Sequence, residues 1–290
     1  MDRNAAKQQL LGARKMVNQA DAVKKKGYVC AGELQSVTVE GTEHRLRFYA
    51  AGDETRPVYI DIHGGGMCWG AMENVDPLAR MMNEQLGVHV LAPDYPLVPD
   101  TEYPELPEFV YGTIREVVRQ AERFHIDPER LIIGGRSAGA NLAAVMTILS
   151  VQRQEFGFVG QILDHPWLDL CGKLSWEDRG GDQSFMSENA MKNLALGYAP
   201  PEKQEEMTCT PLNAPQEILR QLPPAIVQLC ELDPLRVEGA AYADMLRAAG
   251  VPVWEHCFPS ALHGFSEEFD ALGQAGRQWI IDRVKETDWI

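Results

Sequence analysis

The chain has 290 residues, enough for one large domain with a substantial core. Its 45% apolar and 24% charged residues are ordinary for a soluble globular protein, and a formal net charge of −15 argues against nucleic acid or an anionic membrane as partner. No apolar run approaches the roughly 18 residues of a membrane span, and the N-terminus lacks a signal-peptide core, so a cytoplasmic protein without membrane insertion is expected.

Residues 1–27 carry a helical period that puts Leu10, Leu11, Val17, Ala20 and Val23 near one face. The run Lys24-Lys25-Lys26 reads as the solvated end of that helix. The segments QSVTVE (35–40) and HRLRFYA (44–50) alternate polar with apolar, as exposed antiparallel strands do. PVYIDIH (57–63), VHVLAPD (88–94), RLIIGG (130–135), FVGQILDHP (158–166), AIVQLCEL (225–232) and PVWEHCF (252–258) are more continuously apolar, as strands covered on both faces are. Helical patterns fall between them at about 73–86, 106–124, 138–153, 238–249 and 266–286. This alternation predicts an α/β fold with a mostly parallel, doubly wound sheet flanked by helices.

Residues 171–222 break the rhythm. They separate two strands by far more than a normal crossover, and a connection of that length usually has its own structure. Within it, SENAMKNLALGYA (187–199) reads as a helix N-capped by Ser187. With no repeat or linker in view, the expectation is one domain over 1–290, capped by residues 1–30 and the insertion. The cysteines at 30, 68, 171, 209, 230 and 257 have neither Cys-x-x-Cys nor metal spacing and read as buried free thiols in a reducing compartment.

In open α/β sheets, ligands bind beyond the carboxyl ends of the strands. Those ends carry His63-Gly64-Gly65-Gly66, then Gly135-Arg136-Ser137-Ala138-Gly139, then Asp233, then His263. Gly-x-Ser-x-Gly between strand and helix is a nucleophile elbow, with Ser137 presented from a tight turn. As a pattern of three small residues it is weak on its own, and a simple turn would satisfy it. The glycine run strengthens it. A tetrahedral oxyanion needs two or three converging donors, and the amides of Gly65 and Gly66 would complete what Ala138 N–H begins.

Asp233 and His263 follow in the order Ser–Asp–His. His263 would take the serine proton, and Asp233 would orient and stabilise the imidazolium. Of seven histidines, His44, His89, His125 and His256 fall within strands or helical stretches, whereas His165 follows a strand and competes for the role. Asp94, Asp164 and Asp169 compete with Asp233, which ends the appropriate strand.

The whole pattern resembles the hormone-sensitive-lipase-like esterases, the α/β-hydrolases marked by His-Gly-Gly-Gly. The similarity runs from about Val58 to Phe265 through the blocks HGGG, DYPLVPD, GRSAGANLA, DHPWLDL, LPPAIVQLCELDPLRVEGAAYADMLRAAGVPV and LHGF. The resemblance implies Ser137, Asp233 and His263 as triad, Gly65, Gly66 and Ala138 as oxyanion hole, and His63, Gly64, Gly135 and Gly139 as supporting motif residues. It also implies a cap built from the N-terminus and the insertion. Several residues depart from the family pattern. Arg136 stands where aspartate is usual, Val237 where an acid is usual, DYPLVPD lacks the arginine of DYRLAPE, and Met67 follows the glycines where an aromatic residue is commoner. Arg136 and Val237 would be a paired change if they adjoin.

Met67, Trp69 and Arg136 are the candidate substrate-pocket residues. A cation at 136 would disfavour an imidazolium beside it unless an acid neutralises it, and its blander reading is a surface ion pair. The expected activity is hydrolysis of short acyl esters, acetyl esters among them, through an acyl-enzyme on Ser137. No metal or organic cofactor is implied, the partner is a small-molecule ester, and an edge strand offers a route to a homodimer. An amidase, peptidase or formamidase on the same triad, or a non-catalytic binder, are the alternatives.

Overall fold

A computed structural model of the chain describes residues 2–24, 26–181 and 186–290, and of 22–24 the backbone alone. Lys25, the side chain of Val23 and residues 182–185 of the expected insertion lie outside the described residues.

Among the described residues, eight strands form one sheet: β1 (Glu33–Val39), β2 (Thr42–Tyr49), β3 (Arg56–Ile62), β4 (His89–Pro93), β5 (Ile126–Arg136), β6 (Gly160–Asp164), β7 (Ala225–Cys230) and β8 (Val253–Phe258). Their spatial order is β1-β2-β4-β3-β5-β6-β7-β8. β1 and β2 pair antiparallel, as does β2 with β4, while every pairing from β4 to β8 is parallel. The alternation read in the first two strands is therefore that of a one-sided antiparallel hairpin.

The helices are α1 (Arg3–Lys24), α2 (Asp76–Leu86), α3 (Glu105–Arg119), α4 (Ala121–Phe124), α5 (Ala138–Arg153), α6 (Glu188–Tyr198), α7 (Gln216–Leu219), α8 (Arg236–Ala248) and α9 (Ala271–Lys285). Two expected helices start differently. Residues 72–75 and 265–267 form 3-10 turns, and Pro77 then sits in the first turn of α2, where its missing N–H costs nothing. β5 starts earlier than expected, because Arg56 pairs with Ile126 across a register shift.

β5 and α5 form the spine. Every residue of α5 from Ala138 to Ser150 is buried, and a helix apolar on all sides belongs in the core. β8 corrects an expectation. It lies at the sheet edge, and only Phe258 of its residues is fully buried, so its apolar run covers one face rather than two. Half-buried Cys257 follows from this, and Cys30 and Cys171 are also half-buried, against the expectation of buried thiols; none of the six is paired.

α1 lies against α6. Its buried face is Ala6 and Leu10, whereas Leu11 is 38% exposed and Ala20 is exposed, so the expected stripe is corrected by a shift around the helix. Gly197 of α6 permits the approach, since a Cβ there would stand 2.2 Å from Leu10 Cδ1. Side chains finish the attachment. Arg3 Nη2 donates to Glu102 at 2.5 Å, Lys7 pairs with the same carboxylate, and Arg14 donates to the carbonyl of Cys68 at 2.7 Å and to that of Val98. Ser187 caps α6 as expected, accepting from Ala190 N at 3.3 Å. Among the described residues, no helix is long and apolar enough to cross a membrane.

Candidate active site

Strand β5 ends at Arg136, and Ser137 turns the chain into α5 with φ 53° and ψ −118°. A non-glycine residue so placed is strained by about 1–3 kcal/mol, a cost that surrounding structure must meet. It is met by close backbone approach. A Cβ at Gly139 would lie 2.1 Å from the carbonyl oxygen of Ile62, and one at Gly135 2.5 Å from Gly139. The Ser137 amide donates to Asp164 O at 3.0 Å, and its carbonyl accepts from Trp167 N at 3.2 Å. The hydroxyl is thus fixed at the carboxyl edge of the sheet, over the N-terminus of α5.

His263 lies on the loop after β8, and its Nε2 is 2.9 Å from Ser137 Oγ. Its Nδ1 is 2.7 Å from Asp233 Oδ2, on the loop after β7. Asp233 Oδ1 accepts from Leu235 N at 2.8 Å, which leaves Oδ2 to the imidazole. Burial pushes the Asp233 carboxyl up, but the charge and hydrogen bond of His263, with the Leu235 amide, outweigh it and hold the acid below the ordinary carboxylate range. The three residues singled out in sequence order therefore meet as one hydrogen-bonded chain.

The glycine loop after β3 runs beside them. Gly65 (φ 110°) and Gly66 (φ 59°) adopt left-handed backbone, and a Cβ on Gly65 would strike Trp69 O at 2.2 Å. His63 stacks on Tyr95 with ring centroids 4.2 Å apart, and Tyr95 Oη donates to the His63 carbonyl at 2.9 Å. Gly64 packs against the elbow, where an added Cβ would meet Arg136 O at 3.0 Å. Ala138 begins α5, so its N–H has no preceding helical turn to donate to.

A cavity of about 560 Å³ opens above Ser137. Gly64, Gly65, Gly66, Ser137 and His263 are in its wall, with Trp69, Trp167, Met186, Met191 and Leu194, and α1 contributes Gln9, Leu10 and Ala13. Trp69 is where the sequence put it. Met67 is not: it is fully buried in the core beneath the loop, its carbonyl accepting from Val98 N at 2.8 Å. Its backbone has φ 59°, which turns the chain after the glycines and sends the side chain inward.

Arg136 is the second correction. It does not line the cavity and is not on the surface; it is 2% exposed and donates to Asp61 Oδ2 on neighbouring β3 at 2.7 Å. Side chains alternate along a strand, so with Ser137 facing the cavity Arg136 goes into the sheet's other surroundings. Burial pushes the Asp61 carboxyl up to about 6 against the pull of Arg136, so at neutral pH the pair is ionised. Its partner is Asp61 rather than anything near Val237.

The competing acids are occupied elsewhere. Asp94 pairs with Arg45, and Asp169 with Arg179, which also holds Glu238. Of the histidines set aside, His44 stacks on Phe109 and His89 accepts from Ala51 N. His165 does not reach the serine but lies edge-on to His263, with ring centroids 4.6 Å apart. The sequence reading missed Trp167, Met186, Met191 and Leu194. Trp167 had a signal, since it follows the carboxyl end of β6; Met191 and Leu194 on α6, and Met186 just before it, have none, because the insertion carries no motif.

A family model for the alpha/beta hydrolase fold matches residues 59–267. The chain belongs to the α/β-hydrolase family. It is 32% identical over 211 residues to carboxylesterase NlhH of Mycobacterium tuberculosis, a match covering 72% of this chain and 66% of that protein, just under two thirds of its length. It is 27% identical over 265 residues to an ethyl acetate hydrolase of Pseudomonas putida, covering 89% and 83%. The crystal structure of the thermostable carboxylesterase EstE1, cloned from a metagenomic library, superposes with a TM-score of 0.86 at 28% identity, over 96% of this chain and 97% of that one. These esterase relatives and the His-Gly-Gly-Gly motif agree with the hormone-sensitive-lipase-like branch of the family, whose members here are carboxylic ester hydrolases.

Proposed function

We propose that the chain is a serine carboxylesterase that hydrolyses small esters with short acyl groups, acetyl esters first among them. The observation that carries this reading is the chain of hydrogen bonds from Ser137 Oγ through His263 to Asp233, opening into a mostly apolar cavity. Ser137 Oγ attacks the ester carbonyl carbon while His263 Nε2 takes the hydroxyl proton. The amides of Gly65, Gly66 and Ala138 receive the oxyanion, and as donors fixed in advance each would be worth about 10²–10³ in rate. Collapse expels the alcohol, which leaves with the proton from His263, and an acyl group stays on Ser137. Water, deprotonated by His263, then attacks the acyl carbon, and as the acid leaves His263 returns that proton to Ser137 Oγ.

Short acyl groups are favoured by what stands close to the serine. Trp167 is tied to the Ser137 carbonyl, and Leu194 sits over Gly66, where an added Cβ would meet it at 2.9 Å. The name of the Pseudomonas relative, an ethyl acetate hydrolase, supports the same class. α1 and the 171–222 insertion act as a cap over one catalytic domain, a reading supported by the residues both give to the cavity wall. The six unpaired cysteines support a reducing, cytoplasmic setting.

The test is hydrolysis of p-nitrophenyl esters from acetate to dodecanoate by the native chain and by Ser137→Ala. Rates should fall as the acyl chain lengthens and vanish into background in the variant. Equal hydrolysis by both proteins would overturn the reading.

A further inference from the structure

The histidine that competed for the catalytic role has a different place in the site. His165 is fully buried at the end of β6, and its Nδ1 is 2.9 Å from Asp164 Oδ1. Its backbone is left-handed at φ 38°, on the residue before a proline, and its amide donates to Gln228 O at 2.7 Å. This uncommon conformation puts the ring edge-on to His263, 82° between planes. Behind the Asp233–His263 pair there is thus a second, buried Asp–His pair in ring contact with it.

The hydrogen bonds define the charge on Asp164. Its Oδ1 accepts from Gln228 Nε2 at 2.7 Å as well as facing His165, and its Oδ2 accepts from Ser266 Oγ at 2.5 Å. With donors from Gln228 and Ser266 on its two oxygens and His165 beside it, Asp164 has the partners that an ionised carboxylate takes, and its carboxyl is held low. A buried carboxylate needs a countercharge. Around this pair stand Arg136 with its partner Asp61 on β3, Arg277 of α9 on the carbonyls of Ser266 and Glu268, and half-buried Glu267 after β8. Among the described residues, Asp61, Asp164, Glu267 and Asp233 face only two fixed cations here, Arg136 and Arg277, so a proton on His165 reduces the excess of negative charge. Asp233 faces His165 as well, and nearby Cys230 stays a neutral thiol because burial pushes it up.

We propose that His165, held by Asp164, is a positioning residue for the catalytic base: a buried imidazolium whose charge, in ring contact with His263, disfavours a second positive charge there and keeps the base ready at lower pH. The proposal rests on the esterase reading above. Burial by itself would lower the His165 proton affinity, but the Asp164 charge and hydrogen bond outweigh it and raise it, while Asp164 is held low by the same pairing despite its own burial. The sign at His263 follows from Coulomb repulsion between neighbouring cations.

The probe is His165→Asn, whose amide nitrogen can keep the bond to Asp164 while the ring and its charge are lost. Removing the cation lets His263 protonate more readily, so the acid limb of the kcat/KM–pH profile for p-nitrophenyl acetate moves up by about one pH unit. A merely structural role would lower the rate with the limb unmoved, and that result overturns the proposal. Native protein gives a second reading that does not depend on the variant folding. In long-range ¹H–¹⁵N spectra at pH 7.5, one imidazole should show both ring nitrogens protonated, where an ordinary histidine is about nine-tenths neutral. Finding every histidine neutral would overturn it too. Absence of Ser137-dependent hydrolysis in the native chain would instead sink the esterase reading, while the spectra would still decide the charge on His165.

Discussion

The floor and the roof of the cavity are built by different means. The floor, from the glycine loop after β3 to the elbow after β5, is determined by the backbone. Gly65, Gly135 and Gly139 stand where a Cβ would collide with main-chain atoms within 2.1–2.5 Å. The roof, α1 and α6, is held by side chains: Arg3 and Lys7 on Glu102, Arg14 on the 98–100 turn, Leu10 against Gly197. Backbone constraints admit few residues and so leave motifs. Side-chain attachment admits many solutions and leaves none. On the proposed reading, chemistry is set in the floor and substrate choice in the roof.

This contrast can be broken at several points. The largest expected effect is in the floor: Asp233→Asn keeps the shape but presents the wrong imidazole tautomer, and kcat on p-nitrophenyl acetate should fall by about 10⁴ with the melting temperature little changed. Next is the foot of the roof, where Arg179 pairs with Asp169 at 2.9 Å and Glu238 at 3.0 Å, all three buried. Burial pushes the Glu238 carboxyl up to about 8, so Arg179→Met strands chiefly the buried Asp169 carboxylate and should cost about 3–5 kcal/mol of stability in urea unfolding. Gly65→Ala should lower kcat by about 10²–10³ by displacing an oxyanion donor, with KM far less affected.

Smaller effects belong to the roof itself. Arg14→Met removes an ion pair whose Asp100 partner is 70% exposed, together with the bonds to the Cys68 and Val98 carbonyls, so stability should fall by about 1–3 kcal/mol. The ratio of acetate to octanoate hydrolysis should change too, because α1 walls the cavity. Smallest is a pH effect at the start of α2, where the segment after α1 is held. Asp76 accepts from Ala31 N at 2.7 Å and from Arg80 at 2.5 Å, and these bonds, with those of Cys30 and Tyr28, hold its carboxyl low against the opposing effect of burial. A depressed folded value stabilises the protein above the ordinary carboxylate range and loses that contribution as pH falls through it. The melting temperature of the native chain should therefore drop more steeply between about pH 5 and 3 than that of Asp76→Asn.

Much of the floor could be read in advance for the reason just given. Gly-x-Ser-x-Gly, His-Gly-Gly-Gly, Asp233 and His263 each close a strand, and a doubly wound sheet sends strand ends to one edge. What was illegible depended on which way side chains point across neighbouring strands. Arg136 next to Ser137 looked like a pocket residue, yet alternation along β5 turned it toward Asp61, 75 positions earlier in the chain. Met67 failed for a similar reason: a left-handed residue reverses direction, and no pattern records that. β8 read as a covered strand because apolar content does not reveal sheet order, which made it an edge. Leu11 and Leu10 were indistinguishable by periodicity, and contact with Gly197 decided between them.

The central claim is that one hydroxyl among all the serines is the nucleophile. A fluorophosphonate reagent answers it directly, since it reacts covalently with an activated serine and the adduct can be mapped by peptide mass spectrometry. One adduct per chain is expected, on the peptide bearing Ser137, and none in His263→Ala. An adduct on another serine, or labelling of Ser137 undiminished by loss of His263, would contradict it.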